Sequence, residues 1–121
     1  MQHGRLFLAG DASHIVPPTG AKGLNSAFAD ISVLSAGLIK HFKDGDDTIL
    51  DQYSEVALRR NRQVQRFSWS NTAMYHIFPD SNSFDRRMQE AQLEHLVSDK
   101  TAQIAYAENH TGLPFEYWPE L

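Results

Sequence analysis

Residues able to do chemistry crowd into the first quarter of the chain. Asp11 directly follows the run Leu6, Phe7, Leu8, Ala9 and Gly10. An acidic group at the end of an apolar, strand-like stretch stands where open α/β sheets bind ligands. Its carboxylate can accept a hydrogen bond from a ribose hydroxyl; equally, an aspartate there can cap a turn or helix. Gly20 and Gly23 flank Lys22, just ahead of a helical pattern that opens at Leu24. A helix start leaves unpaired backbone N–H groups and the positive end of its dipole facing the preceding loop. Lys22 adds a positive charge, so an electron-rich ring carbonyl or an anionic ring suits this place. Gly-Ala-Lys-Gly lacks the spacing of a phosphate-binding loop and is a weak signal alone.

Other chemistries are poorly supported. The six histidines, His3, His14, His41, His76, His95 and His110, show no H-x-x-x-H spacing, and no metal site is expected. Asp11, Ser13 and His14 lie close together, but no G-x-S-x-G elbow surrounds the serine. The absence of cysteine excludes disulfides and thiolate chemistry. Eleven Lys and Arg against 15 Asp and Glu give a net charge of −4, with no basic stripe for a phosphate backbone, so no nucleic-acid partner is expected. Arg59, Arg60, Arg62 and Arg66 read as a solvated helix face answering the acidic run Asp44 to Asp51. No apolar run approaches 18 residues, so no membrane association is expected and the chain reads as soluble and cytoplasmic.

The elements that must position these groups are one short strand and several helices. The 121 residues, 41% hydrophobic and 21% charged, suit one globular unit. Arg5 to Gly10 reads as a short strand buried on both faces, with at most one weak partner in the chain. Asp11 to Gly23, with two prolines and several small residues, is a shaped loop. Leu24, Phe28, Ile31, Leu34, Leu38 and Phe42 then form an apolar stripe at helical spacing, and Gly45 is placed to end that helix. A second helix starts after Asp47 or Thr48, turns Leu50, Tyr53, Ala57, Val64 and Phe67 inward, exposes Arg59, Arg60 and Arg62, and can run to Tyr75. A third spans roughly Phe84 to Val97, capped by hydroxyls in Ser81 to Ser83, and a fourth runs from Thr101 to Asn109. The tail from Leu113 to Leu121 is rich in aromatics and prolines. A lone buried strand leaves backbone groups unpaired on both edges, which points to a C-terminal segment of a larger protein.

The stretch Gly10-Asp11 through Pro17-Pro18-Thr19-Gly20 to Gly23-Leu24-Asn25 resembles the second flavin-binding motif of the class A flavoprotein aromatic hydroxylases. Outside that motif, Arg66-Phe-Ser-Trp69, His76-Ile-Phe-Pro-Asp80 and Ala107-Glu-Asn-His-Thr-Gly-Leu-Pro114 resemble further stretches of a member of the same family, so that the resemblance covers essentially the whole chain. It implies a mainly α fragment of an α/β FAD-binding fold: one short buried strand, a flavin loop, then three or four helices. It also implies hydroxylation of 4-hydroxybenzoate or a similar phenolic acid ortho to its hydroxyl, with FAD as cofactor, NADPH as co-substrate, and a homo-oligomer. Carried over by position, Asp11 would bind ribityl or ribose hydroxyls. Gly20, Lys22 and Gly23 would cradle the flavin, and Leu24 and Asn25 would lie against its pyrimidine edge. Pro18 and Thr19 would face the substrate, the proline carbonyl accepting from its phenol. His110 falls where the family has a tyrosine that relays the phenolic proton. An imidazole also gives and accepts protons, but its ordinary titration lies near pH 6.5 and not near 10. The N-terminal Gly-x-Gly-x-x-Gly turn and the substrate sheet of the family do not appear, so residues 1–121 are expected to be one segment that retains no FAD by itself. The competing expectation is a catalytically inactive helical fragment that self-associates.

Overall fold

A computed structural model of the chain describes residues 1–112. The tail expected to be rich in aromatics, with Leu113 and Pro114 of the last motif, lies outside the described residues. Among those described, a small hairpin and two 3-10 turns precede four helices: β1 (Gln2–His3), β2 (Leu6–Phe7), α1 (Gly23–Asp44), α2 (Thr48–Tyr75), α3 (Ser83–Ser98) and α4 (Lys100–Thr111). The 3-10 turns are Gly10–Ala12 and Pro18–Gly20.

The strand is shorter and more exposed than its composition implies. β2 pairs antiparallel with β1, Gln2 opposite Phe7 and His3 opposite Leu6. Gly4, at φ +56°, makes the reversal possible. Leu6 is 60% exposed and Leu8 38%, which corrects the expectation of burial on both faces. Only Phe7 turns inward, its ring edge-on to Tyr53 at 5.9 Å. Two residues per strand make too little surface to cover both sides of a ribbon.

α1 also packs differently from its expected stripe. At about 100° per residue, Leu24, Phe28, Ile31 and Phe42 share one side of the helix, and all four are exposed. The opposite side carries the buried residues Ser26, Ala29, Asp30, Val33, Ala36 and Gly37, and it is this small-residue face that lies on α2. Close approach is the reason. A Cβ on Gly37 would stand 2.6 Å from Leu50 Cδ2, so larger side chains along this face would force the helices apart. α2 follows its expected pattern, with Leu50, Tyr53, Ala57 and Phe67 buried and Val64 half-buried. Arg60, expected on a solvated face, is half-buried and within electrostatic reach of Asp30 of α1. Val33, Tyr53 and Ala57 form the core, with Phe7, Leu34 and Val56 packed against them.

The helix ends are chemically specified. Gly45, at φ +70°, ends α1 and donates its N–H to the His41 carbonyl at 3.0 Å. The cap of α3 is Asn82, where hydroxyls of Ser81 to Ser83 were expected. Its side chain accepts from Phe84 and Asp85 while Asp85 reaches back to the Asn82 N–H, a reciprocal box an Asx residue closes well.

Candidate functional site

The loop between the hairpin and α1 is seated on α2 by small groups. The Pro18–Gly20 turn packs against α2, where the Thr72 hydroxyl donates to the Thr19 hydroxyl at 3.1 Å. Gly20 is buried, and a Cβ there would meet the Ser68 hydroxyl at 2.7 Å. Ser68 is itself fully buried and its oxygen has no partner among the described residues. Pro18 is exposed, and its carbonyl accepts the Ala21 N–H at 2.8 Å. Ala21 takes the left-handed conformation at φ +51°, which swings the chain into α1.

α1 opens without a side-chain cap. Its ladder starts with the Ser26 N–H donating to the Lys22 carbonyl at 2.9 Å, so the N–H groups of the first turn have no acceptor in the helix. Gly23, Leu24 and Asn25 form that turn, Leu24 and Asn25 exposed. A Cβ on Gly23 would make only ordinary contact with Val16, at 3.8 Å, so packing does not demand glycine there. Asp11, in the Gly10–Ala12 turn, is exposed and its carboxylate has no partner among the described residues.

Lys22 turns inward. Its ammonium donates to the His110 carbonyl at the end of α4 and lies 5.5 Å from the centre of the Phe67 ring. Burial, with the like charge of Arg60, pushes its pKa below the usual lysine value. One side chain thus joins the loop to the helix that carries His110. The His110 ring is exposed, edge-on to Phe67 at 6.1 Å and stacked on Tyr106 at 5.9 Å. Tyr106 bonds to the Tyr75 hydroxyl at 2.8 Å, a contact that pushes Tyr75 up to about 12. The described residues bring together no group of three or more His, Asp or Glu that could hold a metal ion, and none of their helices is long and apolar enough to cross a membrane.

One set of residues at the loop escaped the sequence pattern. Asp30, in the middle of α1, is buried and accepts from the Gly10 N–H at 2.9 Å and from Asn61 of α2 at 3.2 Å. His14 Nε2 lies 2.6 Å from the same carboxylate. The available signal was an aspartate between Ala29 and Ile31 in a helix otherwise apolar there. Its partners, 16 to 31 residues away, carry no spacing that links them to it.

Residues 1–68 match the FAD binding domain family. The chain is 47% identical over 116 residues to p-hydroxybenzoate hydroxylase of Acinetobacter baylyi, covering 96% of this chain and 29% of that protein. It is 33% identical over 112 residues to tetracenomycin A2 monooxygenase-dioxygenase of Streptomyces glaucescens, covering 87% of this chain and 19% of the relative. To para-nitrophenol 4-monooxygenase of a Pseudomonas species it is 32% identical over 100 residues, or 82% of this chain and 24% of the relative. The chain therefore spans less than a third of the length of each. By these matches the chain belongs to the FAD binding domain family and, within it, to the class A flavoprotein aromatic hydroxylases.

Proposed function

We propose that this segment forms the flavin- and substrate-facing part of an FAD-dependent monooxygenase that uses NADPH and O2 to hydroxylate 4-hydroxybenzoate, or a similar phenolic acid, ortho to its hydroxyl. The observation that carries the proposal is the uncapped start of α1. Its open N–H groups, reached through a loop that Gly20 lets sink onto α2, fit the carbonyl-rich edge of a flavin ring. The unpartnered Asp11 carboxylate fits a hydroxyl donor on the cofactor's chain. When bound, FAD supplies the transfer of electrons from NADPH and the activation of oxygen.

The residues of this chain hold and orient. Asp11 accepts from a ribityl or ribose hydroxyl, and Gly20 and Gly23 let backbone approach the ring. The first-turn N–H groups around Leu24 and Asn25 favour electron density on the pyrimidine edge, helped by the nearby charge of Lys22. Pro18 and Thr19 face the substrate, where the proline carbonyl accepts from the phenol and raises the electron density of the aromatic ring. His110 takes the phenolic proton, and the link from Lys22 to its backbone keeps it in register with the loop. The outward apolar face of α1 supports assembly with further protein surface, including a second copy in a homo-oligomer. The relatives, a hydroxylase and two monooxygenases by name, weigh against a non-catalytic helical fragment.

The test uses the full-length protein that carries this segment. FAD is added while the visible spectrum is followed, and NADPH oxidation is measured with and without 4-hydroxybenzoate. Uptake of FAD and substrate-stimulated oxidation are expected, with His110→Phe lowering hydroxylation by about ten- to a thousand-fold. No flavin uptake, or oxidation indifferent to any phenolic acid, would overturn the proposal.

A further inference from the structure

We infer that Asp30 is a positioning residue for flavin binding, a buried carboxylate that clamps both ends of the turn presenting Asp11. The inference rests on the flavin site proposed above and adds to it a residue that touches neither cofactor nor substrate. A carboxylate in the interior of a helix packed on another helix is costly to desolvate, and a small apolar residue would fill the place more favourably. Asp30 is nonetheless 2% exposed, and none of its hydrogen-bonding partners belongs to α1. One oxygen, Oδ2, takes the Gly10 N–H at 2.9 Å and faces His14 Nε2 at 2.6 Å; the other, Oδ1, takes Asn61 Nδ2 at 3.2 Å. The carboxylate therefore joins three separate pieces of chain: the start of the loop, α1 and α2.

The consequence falls on the turn. Gly10 and His14 are also bonded to each other, His14 N–H to the Gly10 carbonyl at 3.0 Å, so residues 10–14 form a closed unit with both ends on one oxygen. Asp11 lies between those ends, exposed, its carboxylate without a hydrogen-bonding partner among the described residues. Gly10 sits so close to α1 that a Cβ would come 3.2 Å from Ala27 Cβ, and its φ of +60° allows the turn to enter at that angle. Without the clamp, the Asp11 carboxylate would remain in the chain and lose its fixed direction.

Two substitutions separate positioning from simple stability. Asp30→Ala removes every acceptor. Asp30→Asn keeps a carbonyl oxygen able to serve Gly10 and His14, while the Asn61 amide, whose oxygen has no partner among the described residues, can turn to accept from the new amide group. In the full-length protein that carries this segment, Asp30→Ala is expected to weaken FAD binding by about 10- to 100-fold, as lost hydrogen bonds to a charged acceptor would, with Asp30→Asn recovering most of it. Binding is read by quenching of flavin fluorescence, and hydrogen exchange is followed in the same samples. In Asp30→Ala the peptide spanning Gly10–His14 should exchange faster while the core around Val33 and Tyr53 stays protected. If wild type binds FAD and Asp30→Ala binds it equally well, or if both variants lose protection throughout α1 and α2, the positioning role is overturned alone. If wild type takes up no FAD, the flavin site fails and this inference with it.

Discussion

At Gly20 a single missing Cβ decides how deeply the loop sits. The nearest obstacle to a side chain there is the Ser68 hydroxyl at 2.7 Å, with Ser68 Cβ and Cα at 3.4 Å, an ordinary contact distance. Ser68 Oγ makes no hydrogen bond among the described residues, so its removal forfeits little. Gly20→Ala should therefore destabilise the protein by about 1–3 kcal/mol through overpacking, and Ser68→Ala should recover most of that loss in the double variant. Urea unfolding of the four members of this cycle checks the coupling. Additive effects would mean that the loop, and not Ser68, takes up the strain.

At the scale of elements, what was legible depended on whether the most apolar face of a helix is also the face that packs. The apolar positions of α2 face inward as their spacing predicts, Tyr53 and Ala57 packing with Val33 of α1 and Phe67 lying against Tyr106 and His110 of α4. The α1 spacing was equally regular yet pointed outward, since periodicity marks an apolar face without saying which neighbour covers it. Ser26, Ala29, Ala36 and Gly37 carry little hydrophobic signal, and their value to the α1–α2 contact is their small size. Asp11, Gly20 and the helix start were recognisable as a contiguous loop. Asp30 and Asn61 were not, because the contacts that give them meaning exist only once α1 lies on α2. The joint between α2 and α4 makes a prediction of its own. Tyr75 donates to or accepts from Tyr106, and that hydrogen bond, with burial, raises Tyr75 from its ordinary 10 to about 12. A group that holds its proton more tightly when folded lends stability that is fully present below pH 10 and is lost as pH rises towards 12. Tyr75→Phe should flatten this alkaline limb in a thermal-melting series from pH 8 to 12 while leaving the helical content near neutrality unchanged. An unaltered limb would mean that the pair does not couple the helices.

At the scale of the whole molecule, the most consequential feature is a helix with two opposed faces and, among the described residues, cover on only one. Leu24 is 70% exposed, Phe28 63% and Phe42 81%, and with Ile31 they form one side of α1, away from α2. Isolated apolar residues on a surface are common, but a continuous row along a helix marks a surface that meets other protein. Since the relatives are more than three times as long as the matched stretch, most of such a protein lies outside this chain. The 121-residue chain alone has only itself to offer, and an apolar face repeated on every copy favours symmetric pairing. Light scattering at micromolar concentration should then give a mass above the 13.7 kDa of one chain, rising with concentration. Phe28→Glu with Ile31→Lys should shift the mass towards the monomer without loss of helical signal, because neither side chain contributes to the α1–α2 face. A monomeric wild type, or a substituted chain that associates as strongly, would place the association elsewhere than on this face.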